Sequence, residues 1–343
     1  MMIKLPKILI HEYFTGGGWI GPEMPPDLVS EGLAMLCAVT EDFSKWGKVR
    51  VYTTLDKRLS HTPLTADSIS FVDPDSYNES VCRLAKECDF SLIIAPESKG
   101  ILSELNKQMA DIGALPLGCN PEAVRLTGDK WECHKLLLRA GLPVPETLFS
   151  DKYNAVENAY KTGFPLVIKP VDGVGCEGVN IVRDMDMLRT VLEYDPSYTD
   201  RMLLQEYMRG DHLSVSILST GKEFVFLSLN RQYIDEGTPF KYLGGEIMPP
   251  PCAGYELHNI IKRVLEVIPG LKGYFGVDLI RSEKGYKVIE INPRLTTSYV
   301  GLRKVININL AEAMFDAVFK GVLPEIVEIS GVMTFGKEMK IGC

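Results

Sequence analysis

Two facing runs, Phe275-Gly-Val-Asp278-Leu-Ile-Arg281 and Tyr286-Lys-Val-Ile-Glu290-Ile-Asn292-Pro-Arg294, decide how this chain is read. Both alternate apolar and polar residues, the period of strands with one buried face. Ser282-Glu-Lys-Gly285 joins them. A three-residue turn Glu283-Lys284-Gly285, with Gly285 in the left-handed position, pairs Ser282 with Tyr286 and so sets Asp278 opposite Glu290. Asn292 then lies two residues further along the same face. Val277, Leu279, Ile289 and Ile291 are expected on the other, apolar face. Opposed carboxylates on neighbouring strands repel. A hard cation bound through oxygen removes that cost, and an Asp, Glu and Asn set without His or Cys suits Mg2+ or Mn2+. The competing explanation is an ordinary solvated hairpin face.

Upstream stands Leu166-Val-Ile-Lys169-Pro-Val-Asp-Gly173-Val-Gly175-Cys-Glu-Gly178-Val-Asn-Ile-Val182. Its glycines match a dinucleotide fingerprint, but that fingerprint opens a helix, whereas Val179 to Val182 reads as a second strand. A Walker A loop is excluded because no glycine precedes Lys-Ser or Lys-Thr, and a protein-kinase loop because its companion signatures are missing. What remains is a hairpin flap. Gly173, Gly175 and Gly178 let backbone N–H groups close over phosphate oxygens, and Lys169, at the end of an apolar strand, adds a poorly screened positive charge. A flexible hairpin with a snorkelling lysine accounts for the same residues. Further on, Gln205-Glu-Tyr-Met208-Arg-Gly-Asp-His212 separates two strand-like runs and reads as a hinge whose backbone can meet an adenine edge. His212 is equally readable as a plain surface residue.

The remaining chain supplies the frame. With 343 residues, 45% of them hydrophobic, it is long enough for two or three lobes around real cores. A formal net charge of −8 argues against a dominant nucleic-acid or anionic-membrane surface. No run reaches membrane-span length, and the N-terminal Met-Met-Ile-Lys-Leu-Pro-Lys-Ile-Leu-Ile reads as a first strand, so neither a membrane nor a nucleic-acid partner is expected and a cytoplasmic setting is. The eight cysteines lack CxxC pairs and regular spacing, which points to thiols and away from a metal cluster or disulfide framework.

Strands alternate with helices over the first part: a strand over 7–10, a helix over 28–46, a strand over 49–53, a helix over 80–87 and a strand over 90–95. Asn120-Pro121 reads as a helix cap with proline at the first position, and Asp129 opens a helix over 130–140 closed by Gly141. Beyond it, short strands joined by glycine turns dominate, with helices over 254–267 and 310–319. Glu12 and Glu97 fall at ends of early strands, where α/β layers receive ligands and a carboxylate can face an ammonium group. Ordinary loop carboxylates read the same way.

In this order, Lys130 at a helix start, Lys169 before a glycine flap, the Gln205–Met208 hinge, then Asp278 and the closing Glu290-Ile-Asn292-Pro-Arg294, the chain resembles the ATP-grasp superfamily of ligases over about residues 119 to 320. The resemblance implies an α/β fold in four parts: a parallel pre-ATP-grasp layer (1–118), a small lobe with the flap (119–204), a large lobe with the metal site (205–325) and a tail (326–343). It implies that Lys130 and Lys169 hold ATP phosphates, that Gly173, Gly175 and Gly178 cover them, and that Gln205, Glu206, Tyr207 and Met208 line the adenine, Glu206 and Met208 through their backbones. Asp278, Glu290 and Asn292 would ligate Mg2+ or Mn2+. Arg294, with Lys169 and Arg231, would neutralise charge on the transferring phosphoryl group. Many members place a glutamate at the ribose, where this chain has Asp211 and His212.

The Ile10-His-Glu-Tyr-Phe-Thr-Gly-Gly-Gly18 loop and Leu213-Ser-Val-Ser are similar to the tyramine–glutamate ligase group of methanofuran biosynthesis. The implied reaction is ATP-dependent amide formation through an acyl phosphate on small-molecule substrates, an amino-acid carboxylate and an amine. Other acid–amine pairs, or a thioester or carboxyphosphate product, are the alternatives within the superfamily. A homodimer is compatible with the resemblance, although no heptad or interface stripe marks one.

Overall fold

Five parallel strands open the chain, in the spatial order Ser68–Val72, Arg50–Asp56, Lys7–Glu12, Phe90–Ile94 and Leu115–Pro116. Ile8-Leu-Ile10 and Leu92-Ile-Ile94 are buried, as a sheet covered by helices on both faces requires. Strand order reverses between Lys7–Glu12 and Phe90–Ile94, so the carboxyl ends of these two strands frame a crevice of the kind that receives ligands. The structure is a computed structural model and describes residues 5–173, 176–195, 198, 201–251 and 255–336.

The first long helix, Pro26–Trp46, begins two residues before the expected position because Pro26 fits a first helical turn that needs no N–H donor. Two caps in series then aim the chain at the site. Asn120 accepts from the Ala123 N–H at 2.7 Å to start Pro121–Gly128, and Asp129 accepts from the Trp131 and Glu132 N–H groups, each at 3.0 Å, to start Lys130–Arg139. Lys130 therefore sits in the first turn of a capped helix.

A four-stranded antiparallel sheet follows, ordered Thr147–Ser150, Met202–Glu206, Leu166–Pro170 and Asn180–Val182. Helices Ala155–Thr162 and Met185–Tyr194, absent from the expected elements, pack on it, and Ala159, Leu166, Ile168 and Leu188 form a core of its own. The third sheet has six antiparallel strands: Gly285–Asn292, Gly273–Ser282, Asp211–Ser219, Phe224–Asp235, Lys241–Met248 and Met333–Phe335. Leu9 and Ile93 of the first sheet share a continuous core with Val215, Phe275 and Val277 of the third. The stretch read as a tail supplies the last strand of that sheet, with Phe335 buried against it. The four segment limits given above stand as proposals.

No helix among the described residues is long and apolar enough to cross a membrane. Cys82, Cys88, Cys119, Cys133 and Cys176 are free, whereas Cys37 is disulfide-bonded, which corrects the expectation of thiols throughout.

Candidate active site

The hairpin 273–292 brings Asp278 opposite Glu290 and Gly276 opposite Asn292, by a different route from the expected one. Ser282 pairs with Gly285 rather than Tyr286, so the turn has two residues, Glu283 and Lys284, and Gly285 at φ 98° begins the return strand. This register alone would slip the strands by one residue. A bulge between the Leu279–Val288 and Asp278–Glu290 pairs absorbs Ile289 and restores the facing carboxylates. The bulge also corrects the expected apolar face: Val288 is buried at 2% exposure, while Ile289 turns into the cleft.

That cleft has a volume of about 730 Å³ and runs between the two antiparallel sheets to the ends of the first. Asp278 accepts hydrogen bonds from Asn292 Nδ2 at 3.1 Å and from Gln232 Nε2 at 3.2 Å. Burial, then the facing Glu290, pushes the Asp278 carboxyl up to about 7. Glu290 meets Lys130 Nζ at 2.9 Å, and Lys130 also donates to the Gly173 carbonyl. Burial opposes the charged form of Lys130, but the Glu290 carboxylate outweighs it and leaves the ammonium above the usual lysine range. Lys169 is as deeply placed and its partner among the described residues is neutral: it donates to Gln205 Oε1 at 3.1 Å. Gln205 in turn donates to Thr147 Oγ1 at 2.9 Å, which fixes its amide with the oxygen toward the lysine. Burial lowers the Lys169 ammonium to about 8, and neighbouring Lys130 pushes the same way against Glu290 and Asp278.

The flap is a hairpin as expected, with Leu166 opposite Val182 and Ile168 opposite Asn180. Gly173 and Gly178 line the cleft, and Gly175 lies outside the described residues. Tyr198 donates to the Gly178 carbonyl, and the Phe240 N–H donates to the Val179 carbonyl at 2.8 Å, tying the flap's far strand to the large sheet.

At the hinge, Tyr207 to Gly210 leave the strand ladder. Gly210 is required by close approach: a Cβ there would stand 2.3 Å from the Arg281 carbonyl oxygen. Gln205, Glu206, Tyr207, Met208 and His212 all line the cleft. Two of the expected residues are not brought into the cleft lining. Asp211 is exposed and tied to Arg281 at 2.6 Å, outside the cleft lining. Arg231 is exposed as well, because strand alternation sends Asn230 and Gln232 toward Ser214 and Asp278 and Arg231 the other way. The sequence reading missed Glu236, which accepts from Tyr207 Oη at 2.6 Å and pairs with His212 Nε2 at 2.9 Å.

Arg294 lines the cleft and is gripped from the first sheet by Glu97, Nε to Oε1 at 2.8 Å and Nη2 to Oε2 at 3.0 Å. Glu97 is therefore not a free acceptor for an ammonium group. Glu12 is in the cleft wall at the end of the first strand, accepting from the Thr15 N–H at 2.7 Å, Thr15 Oγ1 at 2.6 Å and the Phe14 N–H at 3.3 Å. Burial raises its carboxyl to about 7 despite these donors. Its neighbour His11 is buried and neutral, bonded to Thr54 Oγ1 and Tyr77 Oη, and so shapes the loop without titrating near neutrality.

Asp278, Glu290 and Asn292 fit a hard cation. Two carboxylates face each other in one register, Asn292 spends an amide hydrogen on Asp278 and keeps its carbonyl oxygen, and burial, with the facing Glu290 second, raises the Asp278 carboxyl. Three cationic side chains, Lys130, Lys169 and Arg294, line the same cleft, so the arrangement suits a polyanion held with a divalent metal.

An ATP-grasp domain model matches residues 127–298, half of the chain, and a pre ATP-grasp 3 domain model matches residues 49–124. The chain is 29% identical over 319 residues to a tyramine–L-glutamate ligase of Methanocaldococcus jannaschii, covering 92% of this chain and 89% of that one. It is 34% identical over 218 residues to the ligase of the same name from Methanocaldococcus fervens, covering 64% and 62%. Among solved structures, an ATP-grasp superfamily protein from Archaeoglobus fulgidus has the same fold with a TM-score of 0.67, 24% identity and coverage of 97% and 99%. A biotin carboxylase from Campylobacter jejuni superposes with a TM-score of 0.73 at 18% identity, covering 94% and 74%.

Proposed function

The chain belongs to the ATP-grasp family, and on that premise we propose that it is an ATP-dependent carboxylate–amine ligase joining tyramine to the γ-carboxylate of L-glutamate. One observation carries the reaction type: an opposed Asp278–Glu290 pair with Asn292, faced by Lys130, Lys169 and Arg294 within a single cleft that continues to Glu12 at the carboxyl end of a parallel sheet. The substrates follow from the two relatives above, each a tyramine–L-glutamate ligase by name. Placement in methanofuran biosynthesis and as a homodimer rests on the sequence resemblance, and the cytoplasmic setting on the composition and cysteine spacing of the chain.

A carboxylate does not acylate an amine at neutral pH, so its oxygen first takes the γ-phosphoryl group of ATP and becomes an acyl phosphate. Mg2+ or Mn2+, held by Asp278, Glu290 and Asn292, would neutralise charge on the phosphate oxygens. Lys130 must exchange Glu290 for phosphate, and it is poised to do so because its ammonium stays charged. Lys169 offers a charge that no carboxylate answers directly. Gln205 keeps that ammonium pointed into the cleft. The flap around Gly173 and Gly178 excludes the water that would hydrolyse the acyl phosphate. The amine then attacks the acyl carbon, the carbon–oxygen bond to phosphate breaks and a proton leaves the nitrogen.

The test is phosphate release with mass spectrometry of the product, using glutamate and tyramine against tyrosine, other amines and D-alanine. The expected product is the glutamyl amide of tyramine with one phosphate released per amide. Turnover with another pair and none with this one overturns the substrates. No ADP formation with any pair, in Mg2+ or Mn2+, overturns the ligase.

A further inference from the structure

Arg294 has five N–H donors in a fixed plane. Nε and Nη2 each give one to Glu97, and Nη1 gives one to the Leu295 carbonyl at 3.2 Å. Among the described residues two stay without a partner, one on each terminal nitrogen, and the Nη1–Nη2 edge of a guanidinium matches two oxygens of a phosphoryl group. The grip comes from across the molecule. Arg294 follows the strand that carries Glu290 and Asn292, whereas Glu97 follows a strand of the first sheet.

Glu97 is itself held. The Gly100 N–H donates to its carbonyl at 3.0 Å, the Leu102 N–H donates to the Pro96 carbonyl at 3.1 Å, and the Lys99 N–H donates to Asp172 Oδ2 at the base of the flap at 3.0 Å. The side chains of Glu97 and Arg294 are 3% and 16% exposed. A pair so buried gives up hydration on both sides and is weak evidence for stability. Its bidentate geometry instead fixes the guanidinium plane.

We infer that Glu97 is a positioning residue that turns Arg294 so that its free Nη1 and Nη2 donors face the transferring phosphoryl group. The inference rests on the ligase reading for the identity of that group, but the orientation of Arg294 is independent of it. Glu97→Gln replaces one acceptor oxygen by an NH2 that opposes the Arg294 donors. Glu97→Asp keeps both oxygens on a shorter arm.

The test compares wild type, Glu97→Gln and Glu97→Asp in four measurements: kcat, ATP affinity by calorimetry, thermal midpoint, and the orientation of Arg294 in crystals. Glu97→Gln is expected to lower kcat about 10²-fold, the scale of an ångström-size misplacement. ATP affinity should stay within about twofold and the midpoint within a few degrees, because Lys130 and Lys169 hold the nucleotide. Glu97→Asp should recover part of the loss. Crystals of the Gln variant should show the guanidinium turned from its wild-type plane. A Gln variant with wild-type kcat overturns the inference, as does one whose kcat and midpoint fall together without recovery in the Asp variant. An unmoved Arg294 in the crystal also overturns it. If wild type forms no ADP, the proposed function fails and the crystallographic comparison still decides the role of Glu97. Should the Gln variant not fold, the Asp variant is read in the same four ways, with a smaller displacement and a smaller fall in kcat expected.

Discussion

Lys130 and Lys169 enter one cleft from two walls, equally buried and oppositely answered. Lys130, on a capped helix, meets a carboxylate from the large sheet, while Lys169, on the small sheet, meets the oxygen of a neutral amide. Burial works against both ammonium groups, and only Lys130 has an opposite charge close enough to win. The difference separates two ways of keeping a cation inside a protein. Glu290 stores Lys130 as an ion pair that a ligand must open. Gln205 aims Lys169 without discharging it, so an arriving phosphate finds a cation already short of compensation.

The strongest way to break this contrast is to remove the shared carboxylate. Glu290→Ala should abolish metal-dependent turnover, by about three orders of magnitude or more, while the Val277 and Ile291 side of the hairpin keeps the fold. Turnover close to wild type, with an unchanged circular dichroism spectrum, would show that Glu290 holds no metal. Next in size is Lys169→Met, which keeps the apolar stem and deletes the charge. ATP affinity or turnover should fall by the equivalent of about 2 to 4 kcal/mol, measured by calorimetry and initial rates.

The pH dependence of ATP binding sharpens the same point. In the proposed reaction the charged form of Lys169 meets phosphate, and in the free protein burial holds its ammonium at about 8. Below that pH the ammonium is charged before ATP arrives and Lys169 contributes no pH dependence. Above it a proton must be taken up on binding, so affinity should weaken toward tenfold per pH unit. Calorimetry in buffers of different ionisation enthalpy should detect that uptake near pH 9. Lys169→Met should lose the pH slope, and a slope that survives the substitution would assign it to another group. Smallest is Gln205→Leu, which takes the hydrogen bond from Lys169 and from Thr147 and should cost about 1 kcal/mol of ATP affinity.

The facing of Asp278 and Glu290, with Asn292 beyond them, was legible because strand alternation is local and the three lie within one hairpin. The same rule failed one residue away. Nothing in Tyr286-Lys-Val-Ile-Glu announces a bulge, so Ile289 was assigned to the core and Val288 was not. Arg231 came from the resemblance alone, and its strand, Phe224–Asp235, runs past it and leaves it exposed, away from the cleft lining. Glu97 and Arg294 are 197 residues apart, and a pairing of that reach leaves no period in either segment. Glu236 belongs to the same class: an acidic residue after a strand looks like any loop carboxylate until Tyr207 and His212 close on it. The first parallel sheet was readable in outline from its apolar runs, while Lys241–Met248 and Met333–Phe335 were not. Glycines interrupt the first, and the second is only three residues long.

The position of Met333–Phe335 has a consequence for the order in which a ribosome delivers the chain. This strand closes the edge of the large sheet, and Phe335 lines the cleft that Glu12 also lines. Segments far apart in the sequence must meet before the cavity has all its walls. A nascent chain can fold the parallel layer and the small lobe early and still have an open site. The site is then fully walled only after Phe335 has been delivered, and a cut between Gly321 and Val332 would leave Lys130, Lys169, Asp278, Glu290 and Asn292 in place while releasing Phe335 from the cleft lining.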